Sequence, residues 1–303
     1  MHTYLTPDPV IVEIRNAAGH VTVDLTESVT TSTVTVEQIP GAGGLLGDLV
    51  AGFRRDSSRA DVGRSGHDPV DDVRVDLRMV DSGGGVLIVD TDPARSGWKT
   101  SFAVTVTAPL GSGVRVQAQS ADVRIDGRAD RLDVRSASGD VTVGTIERSS
   151  LVQTASGSIR VGEHGADAEF RTASGDVTIG RSGGSVSVHA TSGDVRVAEP
   201  LSDVFVRNVS GDVEIGSFAD GVIEATSVSG DVSIGLLPGA LAKIDLRTVS
   251  GGVRNDFEVE SDQPDPAAGD AADPQRRISL TCRTTSGDIR LRRIATGSAW
   301  VTS

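Results

Sequence analysis

The sequence predicts an all-β chain folded as a parallel β-solenoid (β-helix) of about 18-residue coils, with an irregular β N-terminal cap. Three observations predict it. The tripeptide Ser-Gly-Asp recurs at a nearly constant spacing, Val and Ile alternate with polar residues on either side of it, and the chain holds 36 glycines but only 3% aromatics. A fixed period marks units that stack on one another. Period-2 alternation marks half-buried strands, and the composition favours strands joined by tight turns.

The N-terminal part, residues 1–117, reads as a degenerate version of the repeat. Glu13-Ile14-Arg15-Asn16-Ala17-Ala18-Gly19-His20-Val21-Thr22-Val23 has the pattern of Asp133-Val134-Arg135-Ser136-Ala137-Ser138-Gly139-Asp140-Val141-Thr142-Val143. Strand-like alternation continues at 34–36, 73–77, 86–88 and 104–106. An inserted loop is expected over residues 40–70. There Leu45, Leu46, Leu49, Val50 and Phe53 have helical spacing and predict a short helix folded over the solenoid edge.

The regular solenoid is expected over residues 118–296. Ser-Gly-Asp starts at Ser138, Ser174, Ser192, Ser210, Ser229 and Ser286, with variants at Ser120, Ser156 and Ser250, and the successive intervals are 18, 18, 18, 18, 18, 19, 21 and 36. Three residues after each Ser stands Val or Ile. Five residues after stands Val, Ile or, at 291, Leu, with Asn255 the exception. Four residues before the Ser, Val116, Val134, Val152, Phe170, Val188, Val206, Leu246 and Cys282 predict a second strand. Each unit is thus two short strands and two turns, which suggests a flattened, two-sided coil, with a triangular coil as the alternative. A single unit buries about five apolar side chains worth roughly 1.5–3 kcal/mol each. Ordering its backbone costs roughly 1–2 kcal/mol per residue, so units must stack. Residues 257–277, rich in Asp, Glu and Pro, interrupt the array and predict a disordered acidic insertion. Solenoid ends expose strand edges. The N-terminal region is expected to cap one end and the segment around Trp300 the other, with end-to-end homodimers where a cap is poor.

Charge narrows the function. A net charge of −13 argues against nucleic acid as a partner. Lys99 and Lys243 are the only lysines, so the positive charge is almost all guanidinium. Cys282 is the single cysteine, which rules out an intrachain disulfide. There is no apolar window of membrane-spanning length and no signal-peptide pattern at the N-terminus, so a cytoplasmic location is expected.

Two columns of the repeat carry residues capable of chemistry. The carboxylates of Asp122, Asp140, Asp176, Asp194, Asp212, Asp231 and Asp288 could stack into a calcium site. The preferred reading is structural, with Gly supplying positive φ and Asp accepting nearby backbone N–H groups. Arg135, Arg171, Arg207, Arg247 and Arg283, with Gln153 and His189 substituting, form a second column whose guanidinium groups are expected to pair with outer-face acids. A carbohydrate or anion groove along it lacks aromatic support. The histidines His2, His20, His67, His164 and His189 fit no metalloprotease pattern, and Cys282 falls on a core position. No catalytic, cofactor-binding or metal residue is assigned, and no cofactor is expected.

The repeated Ser-Gly-Asp-Val-x-Val, the opening from Thr6-Pro7-Asp8-Pro9-Val10 to Val23, and the ending from Arg283 to Arg293 resemble the bacterial "putative adhesin", or toastrack, β-strand-repeat family, a domain of unknown function. The Arg-over-Lys bias looks like a high-GC actinobacterial member. The resemblance implies a stacked solenoid. It also implies kinship with proteins attached to membrane segments in envelope-stress systems, a segment this sequence does not show. It carries no catalytic residues. The expected function is a non-catalytic interaction or scaffold protein, not an enzyme, that meets a protein partner or a second copy of itself. An extracellular adhesin or glycan-binding module and a β-helix carbohydrate-active enzyme are the alternatives.

Overall fold

The computed structural model describes residues 1–27, 29–39, 73–79, 84–91, 101–257 and 276–294. Among these are twenty-three β-strands and no helix. The helix expected within 40–70, residues 258–275 of the acidic insertion and the segment around Trp300 lie outside the described residues. The chain divides into two compact units, one of Met1–Ala129 with Asp133–Gly139, the other of Asp130–Leu132 with Asp140–Ser303.

The first unit contains β1 (His2–Leu5), β2 (Ile11–Thr26), β3 (Thr31–Ile39), β4 (Arg74–Met79), β5 (Gly85–Thr91), β6 (Ser101–Pro109), β7 (Gly113–Ala129) and most of β8 (Leu132–Ser138). Strand β2 lies in parallel register with β7, from Ile11 opposite Gly113 to Asp24 opposite Asp126. Its other edge is covered by β5 and β6, again in parallel. The degenerate repeat is therefore a true coil: Ala18-Gly19-His20 aligns with Ser120-Ala121-Asp122. The irregular part is antiparallel, with β3 on β6, β1 on β3 and β4 on β5. Val12, Ile14, Val21, Val23, Val104, Val116 and Ile125 are buried together as the inward set of the alternation.

The second unit contains β9 (Val141–Ile146), β10 (Ser150–Ser156), β11 (Ile159–His164), β12 (Ala168–Ser174), β13 (Val177–Ser182), β14 (Val186–Ser192), β15 (Val195–Pro200), β16 (Val204–Ser210), β17 (Val213–Phe218), β18 (Gly221–Thr226), β19 (Val232–Leu236), β20 (Leu241–Ser250), β21 (Val253–Asn255), β22 (Arg277–Ser286) and β23 (Ile289–Arg293). Even-numbered strands from β10 to β18 pair in parallel as one sheet, and β9 to β19 pair as the other. The coil is thus flattened and two-sided. Val141, Ile159, Val177, Val195, Val213, Val232 and Ile289 are almost wholly buried and face Val152, Phe170, Val188, Val206 and Cys282 across the interior. The one-residue excess between Ser210 and Ser229 is absorbed by a register shift in β17 after Ile215.

The Ser-Gly-Asp corners line up from Ser156 through Ser174, Ser192, Ser210, Ser229 and Ser286. Each glycine is required by its neighbour. Gly193 has φ +120°, and a Cβ there would sit 2.3 Å from the Gly175 carbonyl oxygen of the preceding coil.

The stack does not follow chain order at its C-terminal end. Strand β22 pairs with β18 on one edge and β20 on the other, and β23 lies between β19 and β21. The last coil of the chain is therefore interior, and the preceding one, Leu241–Asn255, forms the end layer. Burial follows that order. Ile278, Leu280, Cys282, Ile289 and Leu291 are buried, whereas Ile244 and Leu246 are half-buried and Val253 is 47% exposed. Chain order is likewise broken in the first unit, where β2 lies between β7 and the later β5 and β6.

Candidate functional site

The Asp column proves to be a coil-to-coil hydrogen-bond ladder. The Oδ1 of Asp176 accepts the N–H of Asp194 at 2.9 Å, Asp194 accepts that of Asp212 at 3.0 Å, and Asp212 accepts that of Asp231 at 2.8 Å. Asp231 accepts from Asp288, and Asp288 from Gly252, each at 2.8 Å. This last bond, with the Arg290 guanidinium 3.2 Å from the other oxygen, holds the Asp288 carboxyl below the usual carboxylate range. One oxygen of each such carboxylate is thereby committed to the backbone. No group of three or more His, Cys, Asp or Glu side chains with metal-holding geometry occurs among the described residues.

A second ladder went unread in the sequence. Two residues before the Ser, small polar side chains point inward and most of them bind corner carbonyls, though the Oγ1 of Thr172 and the Oγ of Ser227 find no partner among the described residues. Thr154 Oγ1 donates to Ser156, Thr248 Oγ1 to Gly287, and Asn208 Nδ2 to both Gly193 and Gly211. The signal was present as a run of Ser136, Thr154, Thr172, Asn208, Thr248 and Thr284 at one register position. Inward parity in a strand usually selects apolar residues, so this run carries meaning.

The basic column lies on the outer face of the even-numbered sheet. Gln153, Arg171, His189 and Arg207 are direct neighbours on β10, β12, β14 and β16. Beside them runs an exposed row of Ala155, Ala173, Thr191 and Val209. The basic row on one side and Ala173, Thr191 and Val209 on the other wall a groove of about 400 Å³, with Thr172, Ala190 and Asn208 between them. On the other side of the basic row, Ser187, Phe205 and Glu224 border a smaller hollow of about 190 Å³ that shares His189 and Arg207. Phe205 is 36% exposed, so the face has one accessible aromatic, contrary to the expectation of none.

Ion pairing along this row is incomplete. Arg171 Nε is 2.6 Å from Glu169, Arg135 pairs with Asp133 at 3.5 Å and Arg247 with Asp245 at 2.9 Å. Arg207 and Arg283 make no ion pair among the described residues, which departs from the expected pairing. The His189 ring Nε2 is 3.4 Å from Ser187 Oγ. Arg207, beside half-buried His189 and exposed Phe205, can therefore supply a charge-assisted hydrogen bond to an incoming anion.

The remaining candidates lie apart. His20 is exposed, 3.6 Å from Asp122 in the first unit. His164 is fully buried in the second, its Nε2 3.0 Å from Ser150 Oγ, and burial lowers its pKa below the usual imidazole value. Cys282 is buried and its thiol is pushed up to about 12 by burial, so it offers no thiolate at neutral pH. No helix among the described residues is long and apolar enough to cross a membrane.

Comparison with known proteins gave the following. The family model Toastrack DUF4097 matches residues 105–292. Two solved structures align over nearly the whole chain. One is a putative cell adhesion protein from Clostridium sporogenes, at 9% identity and TM-score 0.22, covering 97% of this chain and 98% of that one. The other is a putative adhesin from Bacteroides fragilis, at 12% identity and TM-score 0.30, covering 96% and 95%. No curated protein matches.

Proposed function

The chain belongs to the Toastrack DUF4097 family, and from that premise we propose that it is a non-catalytic cytoplasmic scaffold that presents the outer face of β10–β16 to a protein partner. The observation that carries this reading is the groove between the Gln153–Arg171–His189–Arg207 row and the Ala173–Thr191–Val209 row. Parallel coils repeat about every 4.8 Å. The two rows therefore offer alternating charge-capable and apolar contacts on a rigid lattice, suited to an extended acidic segment with apolar residues on one side.

A second reading, an adhesin or glycan-binding module, is favoured by Phe205 beside Arg207, since a sugar face can rest on an exposed ring. The discriminating experiment compares wild-type protein with R207E/V209D. Both substitutions are on the exposed face, so thermal stability should not change. On the scaffold reading, a protein captured from native cells by the wild type is lost by the double variant. Equal retention by the double variant, or glycan binding abolished by F205A, would replace it with the other reading. Turnover of a glycan by the wild type would overturn both.

A further inference from the structure

We infer that two copies of this chain join end to end through β20, as antiparallel strands about a two-fold axis at Leu246. The site is separate from the groove and does not rest on the proposed function.

Strand β20 is ten residues long, contains no proline, and pairs only with β22 among the described residues. An edge of that length is a template for another strand. The layer behind it is an unfinished core. Leu246 is half-buried where its column neighbours Cys282 and Val206 are 0% and 1% exposed, and Val253 is 47% exposed where Ile289 is 0%.

The chemistry of the edge selects the partner. A further parallel coil would find in this layer no carboxylate for its corner N–H such as Asp288 offers Gly252. Position 252 is glycine and offers none, so the ladder stops here. An antiparallel strand needs no such acceptor. The Leu241 N–H points to β22, bonding Arg276 O at 2.9 Å. By strand alternation, the N–H and C=O of Ile244, Leu246 and Thr248 then point to the open edge. Centring the two-fold on Leu246 makes Leu246 a hydrogen-bonded pair with itself and pairs Ile244 with Thr248.

Charge fixes that register. On the outer face, Asp245 then stands opposite Arg247 of the second copy, and Arg247 opposite its Asp245. A two-fold centred on Asp245 would oppose Lys243 to Arg247 and Asp245 to itself. One centred on Arg247 would oppose Arg247 to itself. The intrachain Asp245–Arg247 pair at 2.9 Å becomes half of a four-charge ring. A surface that is its own complement fits a second copy of this chain better than an unrelated strand.

The test is sedimentation and light scattering of the full chain with D245R, R247D and the double swap D245R/R247D. These side chains are 39% and 68% exposed, so each variant should fold, as thermal melts will check. The wild type is expected to dimerise at micromolar concentration. Each single variant places like charges opposite one another twice and should weaken the dimer by about tenfold or more. An equimolar mixture of the two single variants should restore association, as should the double swap. A wild type that stays monomeric, or single variants that dimerise as well as the wild type, would overturn the inference. R207E should leave the dimer unchanged, which separates this contact from the groove.

Discussion

Replacing Gly193 by alanine tests the closest contact in the stack. At φ +120° an L-residue is strained, and the added Cβ lies 2.3 Å from the Gly175 carbonyl oxygen and 2.6 Å from its carbon. Backbone strain of this kind costs roughly 1–3 kcal/mol. The overlap is with backbone, which cannot turn aside as a flexible side chain would. Relieving it means lifting the Gly193 coil off the Gly175 coil, at the expense of the corner bond from the Gly175 N–H to the Ser192 carbonyl at 3.0 Å. That adds roughly 1 kcal/mol or more, for a total of about 3 kcal/mol. Gly239 is the internal control. Its φ is +90°, but nothing lies within 4 Å of a Cβ there. Gly239→Ala should therefore cost only the strain, roughly 1–2 kcal/mol. Urea denaturation followed by far-ultraviolet circular dichroism measures both. Should Gly193→Ala prove no more destabilising than Gly239→Ala, the glycine column would be a matter of φ alone, and coil-to-coil contact would not explain it.

Three further outcomes are expected. Asp194→Ala removes the acceptor for the Asp212 N–H and should cost about 1–2 kcal/mol, whereas Gly252→Asp, in the end layer, should change stability by less than about 0.5 kcal/mol; denaturant midpoints compare them. His164 is buried with its pKa lowered, so the unfolded chain takes up a proton at higher pH than the folded one; stability should be level above about pH 6.5 and fall as pH drops below it, by up to about 1.4 kcal/mol per unit from this group, and His164→Gln should flatten that slope in urea titrations at successive pH values. Cys282, with its thiol near 12, should resist a thiol reagent in the native state and react fully in denaturant; rapid native labelling would show that the column is not closed.

The coil itself was legible because one residue type does one job at each register position. Val141, Ile159 and Val177 must be inward if Thr142, Arg160 and Thr178 are outward, and the corner glycines mark where the chain turns. The groove was only half legible. The Arg171–His189–Arg207 row is plain in the sequence, but a groove needs a low neighbour, and Ala173 carries no signal of one until the row beside the basic one is known to be exposed. Phe205 was overlooked because an aromatic next to Val204 and Val206 reads as part of an apolar run. The order of the last coils was not legible from the period, since any two coils of equal length can stack in register.

The breaks in the pattern nevertheless specify that order. In chain order, Asp231 would serve the Gly252 N–H, and Gly252 would leave the Asp288 N–H without an acceptor. In the observed order Asp231 serves Asp288 and Asp288 serves Gly252, so both bonds form. The same exchange buries Ile289 and Leu291 and moves Val253 and Asn255 to the end layer, where a polar Asn255 in an inward column does least harm. The path is short enough. Stepping past one coil adds about 4.8 Å, and three extra residues in the 21-residue interval from Ser229 to Ser250 cover roughly 10 Å when extended. Two departures from the repeat, the glycine for aspartate and the asparagine for valine, thus stand together in the end layer of the second unit, which has a coil on one side only among the described residues. The stack is directional because each carboxylate serves the coil beyond it; Ser158 interrupts that ladder inside the stack, and Gly252 closes it in the end layer.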